Sequence, residues 1–154
     1  MTVTFQQEPF EKAYRDASEA MVKHYSEIAE EKDTIGPLDP DLAYYRAAEE
    51  KGALRILTAR DGRKLVGYYV AVVANNKHYQ SVLCAVEDMY YLDPEYRAGM
   101  VGLRLFLEAE KMMREAKVVI SIAKTKVAHD NGRLFEVLKY RPFERVYLKV
   151  LEAT

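Results

Sequence analysis

The segment at 93–106 carries the strongest signal in this sequence, and it reads Asp93-Pro94-Glu95-Tyr96-Arg97-Ala98-Gly99-Met100-Val101-Gly102-Leu103-Arg104-Leu105-Phe106. It follows an aromatic-rich strand pattern and opens a helix pattern that continues to about residue 116. The first amides of a helix have no partner within it and lie at the positive end of the helix dipole. We therefore expect an anion site here, suited to phosphate.

The patterns on either side predict an α/β (α+β mixed) protein with helices packed on a mixed, mostly antiparallel sheet. Asp61-Gly62 is a strong hairpin signal, and Val118–Ala123 is apolar throughout, which is typical of a central parallel strand. The predicted order is β-α-α-β-β-β-α-β-α-β. Its elements are Thr2–Gln6, Pro9 to about Lys32, Asp41–Lys51, Leu54–Ala59, Lys64–Ala74, about His78–Leu92, Arg97 to about Ala116, Val118–Ala123, Asn131–Leu138 and Val146–Leu151.

Composition predicts a single globular domain over residues 1–154, with 49% hydrophobic and 31% charged residues. The net charge of −1 gives no overall basic character, so nucleic acid is an unfavoured partner. We expect a cytoplasmic protein, because no apolar run reaches membrane-spanning length and the lone Cys84 cannot form an internal disulfide. His24, His78 and His129 are too scattered to predict a metal site.

The run Leu92–Arg97, followed by Gly102, resembles the acetyl-CoA pyrophosphate loop of the GNAT N-acetyltransferases. The family's loop is Arg/Gln-x-x-Gly-x-Gly/Ala, and Met100 stands where its first glycine is expected, with Gly99 one residue earlier. The resemblance implies main-chain bonds from Tyr91 and Leu92 to the pantetheine arm of acetyl-CoA. It also implies a pyrophosphate held by the amides of Arg97, Ala98, Gly99, Met100, Val101 and Gly102, to which Arg97 or Arg104 could add charge-assisted bonds.

A second segment, Asn131 followed by Leu134-Phe135-Glu136-Val137-Leu138-Lys139-Tyr140, is similar to a later GNAT motif. The resemblance implies that Asn131 contacts the pantetheine amides, although Asn131 or Asp130 could equally cap a helix. The family's frequent general acid, a tyrosine, aligns with Phe135, which has no proton to donate. Tyr140 and Tyr147 are other phenols nearby, and with 12 tyrosines in the chain neither is assigned.

Glu87 and Asp88 are the candidate general bases, because they lie on the strand before the loop. Alternation along a strand predicts that they face opposite sides of the sheet unless a bulge intervenes, so only one is expected to meet substrate. A structural role as an edge charge or in a salt bridge is the other reading of each. By family analogy the loop at 33–41 helps to form the acceptor site, where Asp39 and Asp41 could favour a cation.

The resemblance implies direct transfer of acetyl from acetyl-CoA to a primary amine of a small molecule, peptide or protein, with general-base assistance and no metal. Met100 and Phe135 keep a second interpretation open, a GNAT-fold module that binds CoA with weak or no catalysis. An unrelated α/β structural or nucleic-acid-binding domain is a third. The acceptor does not follow from these motifs, and a monomer is not distinguished from a homodimer.

Overall fold

The computed structural model describes residues 2–151. A five-stranded sheet runs in the order β1-β2-β3-β4-β5 and is flanked by helices on both faces. Neighbours from β1 to β4 are antiparallel, and β4–β5 is parallel, as the sequence predicted. The elements are β1 (Val3–Gln7), α1 (Phe10–Asp16), α2 (Ser18–Ile28), α3 (Lys32–Ile35), α4 (Leu42–Glu50), β2 (Leu54–Asp61), β3 (Lys64–Asn75), β4 (Leu83–Leu92), α5 (Val101–Glu115), β5 (Ile120–Ile122) and α6 (Gly132–Val137).

Two apolar cores cover the two faces of the sheet. One lies under α5 and α6 and contains Phe106 and Phe135, which are in edge contact with ring centroids 5.4 Å apart. The other lies under α1, α2 and α4 and includes Phe10, which stacks on Tyr45 at 5.5 Å. The sheet therefore separates a helix layer that contains the predicted phosphate loop from a layer that contains the first helices.

A buried ion cluster joins the first helix to the sheet. Arg60 on β2 donates from Nη2 to Glu8 Oε2 and to Asp16 Oδ2, both at 2.7 Å, and from Nε to Glu8 Oε1 at 3.0 Å. The Arg60 and Glu8 side chains are almost fully buried. Because Asp16 ends α1 and Ala17 separates it from α2, this cluster holds the junction between the two helices against the sheet.

The predicted helix over Pro9–Lys32 is correspondingly two helices, and α3 forms inside the segment predicted to be a loop. The predicted strand at 78–92 starts later, at Leu83, because Asn76 organises a turn. Asn76 Oδ1 accepts from the N–H groups of His78 and Tyr79. These differences come from side-chain hydrogen bonds that hydrophobic periodicity does not report.

The predicted helix start at Arg97 is also wrong, since Pro94–Tyr96 forms a 3-10 turn and α5 begins at Val101. Asp93 caps that turn by accepting from the Glu95 N–H at 3.3 Å. The parallel strand is short, Ile120–Ile122, and lies at the edge of the sheet rather than at its centre. An edge position explains its partial exposure.

The predicted last strand, Val146–Leu151, is not formed in the described chain. Residues 141–151 have no regular secondary structure and are exposed, with Val146 87% and Leu151 81% accessible. Alternating apolar residues favour a strand, but a strand needs a neighbour for its backbone groups. The observed order of elements therefore ends at α6.

Candidate active site

The candidate site forms where β4 and β5 separate. Their parallel pairing ends at Val86–Ile122. One residue further along β4, Glu87 Oε2 accepts a long hydrogen bond of 3.4 Å from the N–H of Lys124, which follows β5. A carboxyl group thus lies at the fork between the two strands.

A β-bulge lies at the same point of β4. On the β3 side, Val70 pairs with Met89 and Ala71 pairs with Glu87, so the register skips Asp88. A bulge leaves its extra residue outside the ladder of hydrogen bonds and bends the strand. The two candidate bases therefore lie at an irregularity in β4 that coincides with the fork.

Glu87 is buried on the face of the sheet covered by α5. Only 4% of the residue is exposed. Tyr69 and Tyr90 lie on the same face, where burial, and to a smaller extent the Glu87 charge, raises their pKa values. Burial raises the pKa of the Glu87 carboxyl from an ordinary 4.5 to about 7, although the N–H and charge of Lys124 act in the opposite direction. Near neutral pH this carboxyl can therefore both lose and accept a proton.

Asp88 points to the other face and is exposed. Its Oδ2 accepts a hydrogen bond of 2.6 Å from the hydroxyl of Tyr45 on α4. Burial, assisted by this bond to a carboxylate, raises the pKa of Tyr45. Despite the bulge, the adjacent carboxylates thus face different layers, and Asp88 orients a phenol.

The predicted phosphate loop is open to solvent from Arg97 to Met100. Met100, the residue before α5, is 61% exposed and lies outside the core. Gly102 is needed for packing, because a Cβ there would lie 2.8 Å from the Tyr90 hydroxyl. At Gly99, a Cβ would meet no described atom within 4 Å.

Arg97 has protein partners for its guanidinium. Its Nε donates to the Leu92 carbonyl oxygen at 2.7 Å, and Nη2 donates to both carboxylate oxygens of Glu27 on α2 at 2.9 and 2.8 Å. The guanidinium also lies 5.6 Å from the Tyr91 ring centroid. Arg104 lies over Phe5 on β1. These contacts indicate that Arg97 holds α2 against the end of β4. Arg97 also uses the Leu92 carbonyl oxygen, which the resemblance expected to bond to pantetheine.

The second motif divides into a helix start and a core residue. Gly132 N–H donates to Asp130 Oδ1 at 2.8 Å, so Asp130 makes the capping bond. Asn131 precedes α6, and its own N–H donates to Thr125 Oγ1 at 2.7 Å. Phe135 is buried against Phe106 and lies 5.7 Å from the ring of Tyr140. Phe135 is therefore a core residue.

A cavity of about 230 Å³, here called the α1–β4 cavity, lies on the Asp88 face. Its walls come from α1, the α1–α2 junction, the 38–40 segment, α4 and strands β2 to β4. Val70 and Met89, the pair beside the bulge, are among its lining residues. The periodicity that predicted a helix from Pro9 could not show that the first helices leave a cavity above the sheet.

His24 borders this region and supplies a test of the packing. Its Nδ1 lies 2.7 Å from the hydroxyl of Tyr68, which lines the cavity, and burial lowers the pKa of His24 from 6.5 to about 4. Between pH 6.5 and 4, His24 binds a proton in the unfolded chain but not in the folded protein. The stability contributed by neutral His24 is therefore present above pH 6.5 and is lost as the pH falls toward 4.

Between pH 7 and 5, we expect wild type to lose about 2 kcal/mol of unfolding free energy relative to His24→Gln. Urea denaturation at the two pH values measures this difference. Substituting the exposed His78 with Gln is the matched control, and it should leave the pH dependence unchanged. A parallel loss in wild type and His24→Gln would contradict the assignment.

Comparison with known proteins agrees with this geometry. Residues 14–139 match the sequence profile of the acetyltransferase (GNAT) family. The chain therefore belongs to the GNAT acetyltransferase family, which confirms the resemblance seen in its loop. No curated protein sequence matches the chain.

Solved structures of acetyltransferases share the fold at low sequence identity. A ribosomal-protein-alanine N-acetyltransferase from Brucella melitensis biovar Abortus 2308 has a TM-score of 0.72 at 14% identity, covering 98% of this chain and 100% of that one. An aminoglycoside acetyltransferase from an uncultured soil metagenomic sample has a TM-score of 0.73 at 10% identity, covering 99% and 97%. A predicted acetyltransferase with acetyl-CoA from Clostridium acetobutylicum gives 0.70 at 7% identity, covering 97% and 96%.

Residues 2–151 contain no group of three or more His, Cys, Asp or Glu side chains arranged to hold a metal ion. None of their helices is long and apolar enough to cross a membrane.

Proposed function

We propose that this protein transfers an acetyl group from acetyl-CoA directly to a primary amine, with Glu87 as the general base. The observation that carries the proposal is a buried carboxyl with a pKa of about 7 at the β4–β5 fork, beside a bulge. A base is most effective when its pKa lies near the working pH. Asp88, exposed and bonded to Tyr45, is assigned to orientation.

Acetyl-CoA fits the groups around the fork. The unpaired amides at the start of α5 suit its pyrophosphate, and Gly102 lets that helix start approach Tyr90 closely. Asn131 and the free edge of β4 after Val86 suit the amides of the pantetheine arm. When bound, acetyl-CoA supplies an activated acetyl thioester.

The chemistry then requires one proton acceptor and one polarising group. The amine nitrogen bonds to the acetyl carbon, the carbon–sulfur bond breaks, and Glu87 takes the proton released from nitrogen, directly or through water. Main-chain N–H groups at the bulge, outside the regular ladder, suit the developing charge on the carbonyl oxygen. Phe135 cannot protonate the leaving thiolate, whose conjugate thiol has a pKa of about 8.5, so water supplies that proton.

Calorimetry with acetyl-CoA, followed by detection of free thiol with a panel of amines, tests the proposal. We expect binding and then thiol release that depends on the amine. Failure to bind acetyl-CoA would overturn the donor assignment. Binding without turnover across the panel would favour the alternative, a CoA-binding module, which Phe135 keeps open because it has no proton to donate.

The helix start has its own test. In Gly102→Ala, the new Cβ forces Tyr90 or the start of α5 to move, and Tyr90 is held against Phe106 at a centroid distance of 4.8 Å. We expect acetyl-CoA affinity to fall about tenfold, or about 1.4 kcal/mol, as is usual for overpacking.

Two further variants control the Gly102 experiment. Gly99→Ala places its Cβ in open space and should bind like wild type. Gly102→Ala combined with Tyr90→Phe removes the clashing hydroxyl and should recover most of the affinity. Equal affinities for Gly99→Ala and Gly102→Ala would remove the α5 start from the binding site.

A further inference from the structure

The α1–β4 cavity indicates the acceptor. We infer that the acceptor amine is carried on an apolar body about the size of a phenylalkyl group, and that this body occupies the cavity. The inference rests on the proposed function for its chemistry, whereas the cavity itself is a feature of the fold. The walls, volume, charges and position of the cavity each support this acceptor.

The walls are apolar where they are deepest. Ile56, Leu65 and Val70 come from the sheet, and Phe10 and Ala17 come from the helices that cover it. Burying an alkyl or aryl group against such walls gains about 25 cal/mol for each Å² of apolar surface removed from water. The cavity therefore favours an apolar body over water.

Of the four hydroxyl-bearing residues that line the cavity, three already have protein partners, and Tyr14 is the fourth. Tyr45 donates to Asp88, Tyr68 is paired with His24, and Thr58 donates to the Gln6 carbonyl oxygen at 3.3 Å. A sugar or polyamine placed here would lose more hydrogen bonds to water than Tyr14 could replace, at about 1–3 kcal/mol for each buried polar group left unpaired. The walls thus select against acceptors with many polar groups.

The volume fits one ring with a short chain. An apolar cavity of about 150 Å³ is sufficient to hold benzene. The α1–β4 cavity, at about 230 Å³, accommodates such a ring and the few further atoms that would connect it to an amine. Its lining pair Val70–Met89 flanks the bulge, so a body in the cavity would have its amine end at the bulge, next to Asp88 and to the β4–β5 fork where Glu87 lies. From there the amine's proton would reach Glu87 through water in the fork.

The charges suit a single ammonium group. Among the lining residues the charged side chain is Asp39, which is exposed, and Asp88 lies next to Tyr45 in the wall. These two carboxylates attract a cation to this face of the protein. Because both are exposed to solvent, we expect their charges to change acceptor affinity and association rate only modestly. Asp41, the other acidic residue predicted for the acceptor site, instead caps α4 by accepting from the Tyr44 N–H.

The test compares 2-phenylethylamine with propylamine and spermidine as acceptors for the full chain at saturating acetyl-CoA. We expect kcat/KM for 2-phenylethylamine to exceed that of each other amine at least about tenfold, since a buried ring contributes several times the area of a methyl group. Calorimetric binding of 2-phenylethylamine without the donor is measured in parallel.

Two variant pairs place the effect in the cavity. Leu38 lines the cavity, whereas Ile35, the last residue of α3, does not. Both are exposed apolar residues. Leu38→Ala should raise KM for 2-phenylethylamine about fivefold, and Ile35→Ala should leave it unchanged. Asp39→Asn should raise KM about threefold, with Asp33→Asn as its exposed control.

The outcomes separate this inference from the proposed function. Faster turnover of spermidine or propylamine would overturn the inference and leave the acetyltransferase proposal intact. Binding of 2-phenylethylamine that is sensitive to Leu38→Ala, without thiol release from any amine, would support the cavity assignment and contradict the proposed activity. Equal effects of Leu38→Ala and Ile35→Ala would also overturn the inference.

Discussion

Glu87→Gln is expected to lower kcat by about 10² to 10⁴-fold, the usual contribution of a positioned general base. Glutamine keeps the shape of the side chain and can still accept the Lys124 N–H. It cannot take a proton from the amine. In wild type, we expect kcat/KM to rise with pH and to level off above about pH 7, where Glu87 is ionised. This dependence, with its break near pH 7, should disappear in the variant.

The same substitution is expected to stabilise the fold. Since folding raises the pKa of Glu87 from 4.5 to about 7, stability from its protonated form is complete below pH 4.5 and is lost as pH rises through 7. At pH 8, Glu87→Gln should gain up to about 3 kcal/mol over wild type, and at pH 4 the gain should vanish. Urea denaturation at both pH values measures this gain. The titration of His24 changes the stability of wild type and Glu87→Gln equally, so it cancels in the comparison.

Asp88→Asn is the matched control for both readouts. It lies next to Glu87 but is exposed and bonded to Tyr45, so it should keep the pH 7 break and show no comparable gain at pH 8. If Asp88→Asn loses the break and Glu87→Gln keeps it, the general base is Asp88. Activity and stability moving in opposite directions at Glu87 would mark a residue retained for chemistry.

Arg60→Leu is expected to cost about 3 kcal/mol of unfolding free energy, the lower end of the usual range for removing one partner from a buried ion pair. Glu8 would lose the guanidinium that binds both its oxygens, although Lys12 Nζ would still lie 2.7 Å from Oε1, and Asp16 would lose its link to β2. Denaturant unfolding at pH 7 measures the loss.

Arg63→Leu is the control for Arg60, because it is exposed two residues beyond the strand and should change stability by less than about 0.5 kcal/mol. Adding Glu8→Gln to Arg60→Leu removes a buried carboxylate charge that only Lys12 would still offset, and it should recover part of the loss. If Arg60→Leu alone were as stable as wild type, the Arg60–Glu8–Asp16 cluster would be dispensable for stability. Since Asp16 adjoins Ala17 in the cavity wall, Arg60→Leu should also raise KM for the acceptor.

Local patterns were sufficient for the parts of the fold that depend on neighbours in sequence. The hairpin at Asp61-Gly62, the end of β4 at Leu92 and the C-terminal end of α5 were predicted close to where they lie. Alternation predicted opposite layers for Glu87 and Asp88 unless a bulge intervened, and their contacts lie in opposite layers even with the bulge. In each case the information lies within a few residues.

What the sequence missed depends on distant contacts. Arg97 suggested a phosphate ligand, yet its partner Glu27 lies 70 residues away. The strand predicted at Val146–Leu151 has the right alternation, but alternation cannot report whether a neighbouring strand is present. The α1–β4 cavity is assembled from helices, a loop and three strands, so its apolar lining residues could not be told from ordinary core residues.

The bulge in β4 has a consequence for how this protein can change over generations. It includes Asp88, which faces the cavity, and adjoins Glu87, which faces α5, so the proposed acceptor cavity and the proposed general base meet at the fork from opposite sides of one strand. Substitutions in α1 or the 38–40 segment can reshape the cavity without touching the buried carboxyl. On these assignments, a change of acceptor preference leaves the proposed general base in place.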